Sequence, residues 1–236
     1  MRLPALLLLV LSGLAGVLCT RRSRLALVDT DGDAQNFMQS KLVVPVQLGV
    51  MSRCPDALTC EAVFNDVLPS VKDKIDLSLV YIAKFDPTDT PFGVQCMHGR
   101  WECAGNVQQL CVHKYASVAT WWEFVSCQNK QGRSRIGFPD VALQCAKEVG
   151  VDWEKSGAGT CAGLDGSGTA PEGVALLKES IQTGISLHLK SSCTVVINGK
   201  AVCIHDSEWK NCENGHEPAD FIKQIEEEYS RLNGAL

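Results

Sequence analysis

Residues 42–56 read LVVPVQLGVMSRCPD. From Leu42 to Met51, Val44, Val46, Leu48 and Val50 alternate with Val43, Pro45, Gln47 and Gly49, which predicts a largely buried strand. Pro45 is tolerable near a strand start or on a sheet edge. Pro55 suits a first helical turn, and Ala57, Cys60, Phe64, Val67 and Val71 follow at helical spacing. Lys74 to Phe85 (KIDLSLVYIAKF) predicts a second strand. Strand, helix and strand in about 45 residues make a βαβ unit, with parallel strands and a right-handed crossover. Cys54 therefore falls where the first strand hands over to the helix. Unpaired backbone N–H groups gather there and favour a thiolate, while Asp56 opposes it by like-charge repulsion. The alternative for Cys54 is one half of an ordinary disulfide.

Downstream, residues 87–190 lose the strand pattern. Three helical segments are predicted, at Ala104 to Trp122, Pro139 to Val149 and Pro171 to Leu187. The loop from Ser156 to Gly173 is rich in Gly and Ser, with Cys161 to tie it down. Cys193 to Ile197 and Lys200 to Ile204 flank Asn198-Gly199, a strong hairpin signal. Pro218 to Leu232 closes the chain as a helix whose apolar stripe is Phe221, Ile222, Ile225, Tyr229 and Leu232. This order predicts an α/β protein of thioredoxin-like fold. Its mixed sheet combines a βαβ unit with a ββα unit, and a disulfide-stapled helical insertion occupies about 87–190.

With 236 residues, 45% hydrophobic and 21% charged, the chain can bury one core, and its net charge of -5 argues against a nucleic-acid partner. Twelve cysteines without regular metal spacing predict disulfides made in an oxidising compartment. Residues 1–19, with Arg2 ahead of an apolar run from Leu3 to Leu18, predict a signal peptide. Residues 20–41 predict a flexible leader and 42–236 the folded domain. No other stretch is apolar enough to span a bilayer, so no membrane association is expected after cleavage. Asp29, Asp31 and Asp33 begin like a calcium loop, but Ala34 stands where its Gly belongs and Ser40 where its closing Glu belongs. Cleavage at or after Cys19 leaves eleven cysteines, so at least one is unpaired or shared.

A dithiol site needs a second thiol within reach of the first. Cys60 lies six residues beyond Cys54, and six helical residues rise by about 9 Å. The Cα limit for a disulfide is about 7 Å. A regular helix therefore excludes a Cys54–Cys60 bond, and Cys60, on the apolar stripe, reads as a core cysteine. Cys96-Met97-His98-Gly99-Arg100-Trp101-Glu102-Cys103-Ala104-Gly105-Asn106, ending in Cys111, lacks the short spacing of zinc knuckles. No metal or cofactor is expected.

That stretch resembles the signature of the gamma-interferon-inducible lysosomal thiol reductase family, C-Q-H-G-x2-E-C-x2-N-x4-C. It matches at Cys96, His98, Gly99, Glu102, Cys103, Asn106 and Cys111 and departs at Met97. The Asn198-Gly199-Lys200 hairpin and the spread of Cys127, Cys145 and Cys161 extend the likeness from about Val43 to Cys203. The resemblance implies a thioredoxin-like domain with a helical insertion. It also implies reduction of protein disulfides in endosomal or lysosomal compartments, or outside the cell, through a Cys-x-x-Cys site after the first strand. Cys54 matches the nucleophile, but Ala57 stands at the resolving position. Counting back from Asn198-Gly199, Cys193 stands where thioredoxin-like domains place a cis-proline, facing Cys54.

These residues predict a thiol-disulfide oxidoreductase with Cys54 as a presented, reachable nucleophile. Cys54 is either bonded to Cys193 or resolved by Cys193, Cys60 or an external thiol. The expected partners are disulfide-bonded protein substrates and a small-thiol reductant. The alternative is a non-catalytic, disulfide-stapled secreted binding protein on the same scaffold. The chain has no N-x-[ST] sequon, so secretion is expected alongside the endosomal or lysosomal lumen.

Overall fold

The strand predicted first is β1, Val44–Val50, and it lies between two partners in the sheet, with Val44, Val46, Leu48 and Val50 buried. The computed structural model describes residues 41–234, all within one compact unit, Ser40–Leu236. The expected signal peptide and all but the last residue of the leader lie outside the described residues. β1 pairs parallel with β2, Ile75–Tyr81, from Val44↔Ile75 to Val50↔Tyr81. On its other side it pairs antiparallel with β5, Thr194–Ile197. The helix α1, Pro55–Val71, makes the crossover, with Pro55 in the first turn, where no N–H is needed.

Lys74 to Phe85 is not one strand. β2 ends at Tyr81 because β1 ends beside it, and the ladder closes with Ile82 N–H donating to the Val50 carbonyl at 2.9 Å. Lys84–Phe85 (β3) instead pairs with Val94–Gln95 (β4) in a two-stranded ribbon.

Five helices follow: α2 Arg100–Tyr115, α3 Val118–Lys130, α4 Pro139–Glu148, α5 Ala158–Ala162 and α6 Pro171–Ser186. The single helix expected over Ala104 to Trp122 breaks at Ala116, which is extended, and Ser117 caps the new start by accepting from Thr120 N–H at 3.1 Å. The expected loop at Ser156 to Gly173 contains α5, tied to α2 by Cys111–Cys161.

β5 turns through Asn198 (φ 46°) and Gly199 (φ 77°) into β6, Lys200–Asp206. Two successive positive φ angles are what the tight hairpin requires, and Asn-Gly tolerates both. A further strand, β7 Glu208–Lys210, extends the sheet without having been predicted. The sheet order is β2-β1-β5-β6-β7. The last helix, α7 Pro218–Leu232, packs on α1, Phe221 against Phe64 with 5.4 Å between ring centroids. On the opposite face Val80, Leu189 and Val196 cluster, and a Cβ on Gly49 would lie 2.8 Å from Leu189 Cδ1. The arrangement is a thioredoxin-like α/β fold with α2–α6 inserted before the hairpin. Among the described residues no helix is long and apolar enough to cross a membrane.

Candidate active site

Cys54 is the residue at which β1 has ended and α1 has not begun. Its backbone is extended (φ -76°, ψ 131°), its N–H donates to the Met51 carbonyl at 2.8 Å, and its own carbonyl accepts from Leu58 N–H at 3.3 Å. Among the described residues it is the only free cysteine. Its thiol approaches Asp56 Oδ2 at 3.6 Å and the Ser192 carbonyl at 3.9 Å. The expectation of a presented sulfur needs correction, because the residue is only 7% exposed. The loop before β5 encloses it, with Ser192 Oγ accepting from Met51 N–H at 3.1 Å.

The loop before β5 also carries the residue expected to face it. The Ser192–Cys193 peptide is cis, at the position where the count from the hairpin put a cis-proline. Cys193 does not bond to Cys54. It is bonded to Cys60, with Cα atoms 6.2 Å apart, and both are fully buried. The reason is direction. Cys60 projects from the buried stripe of α1 towards the start of β5, whereas Cys54 lies six residues earlier at the helix end. Cys60 is thus half of a disulfide and not a lone core cysteine. Ala57, at the resolving position of a Cys-x-x-Cys site, is buried.

Asp56 is the centre of the polar contacts. Its Oδ1 accepts from Ser207 N–H at 2.7 Å and meets His205 Nδ1 at 2.8 Å. Burial works to raise its pKa. The hydrogen bonds from Ser207, His205 and Cys54 outweigh that and hold the carboxyl below its ordinary value. Sequence reasoning assigned His205 no part, because nothing in the spacing joins position 56 to position 205. The hairpin brings them together.

The signature segment explains how the turn before Cys54 is held. Cys96 and Cys103 are bonded to each other across the start of α2. Asn106 Oδ1 accepts from Ser52 N–H at 3.2 Å, and Glu102 Oε2 accepts from Arg53 N–H at 3.3 Å. Ser52 Oγ donates to the Glu102 carbonyl at 3.3 Å. His98 adds its N–H to Glu102 Oε1 at 3.2 Å and its Nδ1 to Oε2 at 2.5 Å. Glu102 and Asn106 are fully buried. These motif residues were legible, but their contact with the Cys54 turn was not. They are positioning residues, satisfying backbone donors that the end of β1 leaves over. Among the described residues no group of three or more His, Cys, Asp or Glu could hold a metal ion.

A second buried polar cluster lies further along α1. Glu61, next to Cys60, accepts from Asn129 Nδ2 at 2.6 Å, while its Oε1 has no partner. Burial pushes its carboxyl up to about 7, with the Asn129 hydrogen bond pulling the other way. Burial, and then the nearby Glu61, raise the phenol of Tyr81, which donates to Gln109 Oε1 at 2.6 Å.

A parallel β1-α1-β2 unit joined to the β5-β6 hairpin, with a lone cysteine at the start of α1, defines a thioredoxin-like α/β fold. Residues 45–149, a little under half of the chain, match the family described as Gamma interferon inducible lysosomal thiol reductase (GILT). That matched segment holds Cys54 and the signature. Among curated proteins none is similar enough in sequence to match. The chain is similar to MdbA, a thiol-disulfide oxidoreductase from Actinomyces oris (14% identity, TM-score 0.50, 78% of this chain and 80% of that one). At that identity the likeness bears on the fold alone. It is also similar to a thioredoxin-like oxidoreductase from Silicibacter pomeroyi DSS-3 (17%, TM-score 0.47, 80% and 87%). A third is the oxidoreductase NmDsbA1 from N. meningitidis (13%, TM-score 0.48, 84% and 87%).

Proposed function

We propose that the protein exchanges or reduces protein disulfides through Cys54. The observation that carries this reading is that the free cysteine stands at the start of α1 with its sulfur 3.9 Å from the carbonyl of Ser192, the residue before Cys193 of the Cys60–Cys193 disulfide. The Cys54 thiolate attacks one sulfur of a substrate disulfide, forming a mixed disulfide. The other substrate sulfur leaves as a thiolate and takes up a proton. With Cys60 and Cys193 bonded to each other, resolution falls to a small external thiol. One such thiol displaces the substrate sulfur onto a proton. A second regenerates Cys54 and leaves as half of a small-molecule disulfide. Where Cys60 and Cys193 are first reduced, Cys193 resolves the mixed disulfide, and Cys60 then displaces Cys54 to restore the observed bond. Each route delivers two electrons to the substrate.

The domain plan goes with this function: a signal peptide at 1–19, a leader at 20–41, and a domain at 42–236 whose insertion spans about 87–190. Five disulfides among the described residues support an oxidising lumen, secretory or endolysosomal. The low exposure of Cys54 favours one other reading, a disulfide-stapled binding protein that has lost the chemistry. Insulin reduction with a small-thiol regenerant at pH 5 and pH 7 separates the two. Turnover abolished by Cys54→Ser supports exchange; folded protein inert at both pH values supports the binding protein.

A further inference from the structure

Beside the thiol site a cavity of about 610 Å³ opens between the β3–β4 ribbon and the signature segment. Met51 and the Cys96–Cys103 disulfide form part of its wall, and Met51 is tied to Cys54 by the N–H···O bond of 2.8 Å. Its charge runs against that of the whole chain, which carries 27 acidic and 22 basic residues. Lys84, Arg100 and Lys190 line it, all exposed, with Asp89 the one carboxylate among the lining groups. None of these three cations enters an ion pair among the described residues. Lys190 is two residues before Ser192, whose carbonyl faces the Cys54 sulfur. The remaining surface is apolar: Ile82 and Ala83 are half-buried, and Met97 is 72% exposed.

We infer that this cavity receives an extended, acidic and apolar segment of the polypeptide that carries the target disulfide. The identity of the occupant rests on the thiol-exchange reading; its chemistry rests on the charge and lining. Three unpaired cations are complementary to carboxylates, and the apolar wall takes the side chains between them. The volume lies within the range of ligand sites, about 300–1,000 Å³. Such a segment places a neighbouring disulfide at the start of α1.

The test uses Cys54→Ser protein, which binds without reacting, and anisotropy of a dye-labelled extended peptide of alternating Glu and Leu. A second peptide carries Gln for each Glu. The acidic peptide binds, its affinity falls as salt rises, and the Gln peptide binds about tenfold more weakly. Lys84→Glu/Lys190→Glu, confirmed folded by near-UV circular dichroism, weakens the acidic peptide by about tenfold or more. Equal binding of the two peptides, unchanged binding by the double variant, or no binding of the acidic peptide overturns the inference. Binding without insulin turnover sinks only the exchange reading, whereas turnover without acidic-peptide binding sinks only the cavity.

Discussion

Replacing Glu61 by Gln should remove a pH dependence of stability that the fold itself creates. The carboxyl is fully buried, accepts one hydrogen bond, from Asn129, and is held at about 7 against an ordinary value of 4.5. Below pH 4.5 it is protonated in both folded and unfolded chains, and its contribution is fully present. As the pH rises to about 7 the unfolded chain ionises while the folded chain keeps its proton, so stability is lost. Each pKa unit corresponds to about 1.4 kcal/mol, and the difference between the two states therefore amounts to about 3 kcal/mol. Gln cannot titrate, and its amide oxygen can still accept from Asn129. Urea unfolding of both proteins, with disulfides intact, measures the difference directly. Subtracting one curve from the other cancels the remaining titrating groups. The variant should gain on the wild type by about 3 kcal/mol between pH 4.5 and pH 7.5. A stability difference that stays level across that range refutes the reasoning, because Glu61 would then ionise alike in both states.

Further outcomes follow from the contacts around the turn and the insertion. Asn106→Ala leaves the buried Ser52 N–H without an acceptor and should cost about 1–3 kcal/mol in unfolding free energy. It should also change the rate at which iodoacetamide reaches Cys54, a readout that a purely structural loss elsewhere would leave alone. Gly137→Ala should be strongly destabilising: Gly137 has φ +89°, and an added Cβ would meet the Trp101 carbonyl oxygen at 1.8 Å, so a large fall in Tm is expected. Replacing Cys111 and Cys161 together by Ala opens a loop with a sequence separation of 50. Chain entropy alone puts that loss at about 4 kcal/mol, to be measured by denaturant unfolding.

The scaffold was readable because its signals are local. Val44, Val46, Leu48 and Val50 set a strand, Pro55 opened a helix, and Asn198-Gly199 specified the turn whose positive φ angles the structure contains. One failure turned on a distant partner and the other on a local cap. Lys74 to Phe85 stops short as a strand because β1 offers no partner beyond Val50. Ala104 to Trp122 is two helices because Ser117 caps the second.

At the site, sequence alone determined that a cysteine stands at the start of α1 without a thiol three residues on, and that a dense Cys-His-Glu-Asn motif lies downstream. Tertiary structure decided what those residues touch. It pairs Cys60 with Cys193 across 133 positions, joins Asp56 to His205, and seats Glu102 and Asn106 on the backbone before Cys54. Local propensity is written along the chain and can be read from spacing. Side-chain pairing depends on how strands cross and which helix faces meet, and no spacing along a single chain records that.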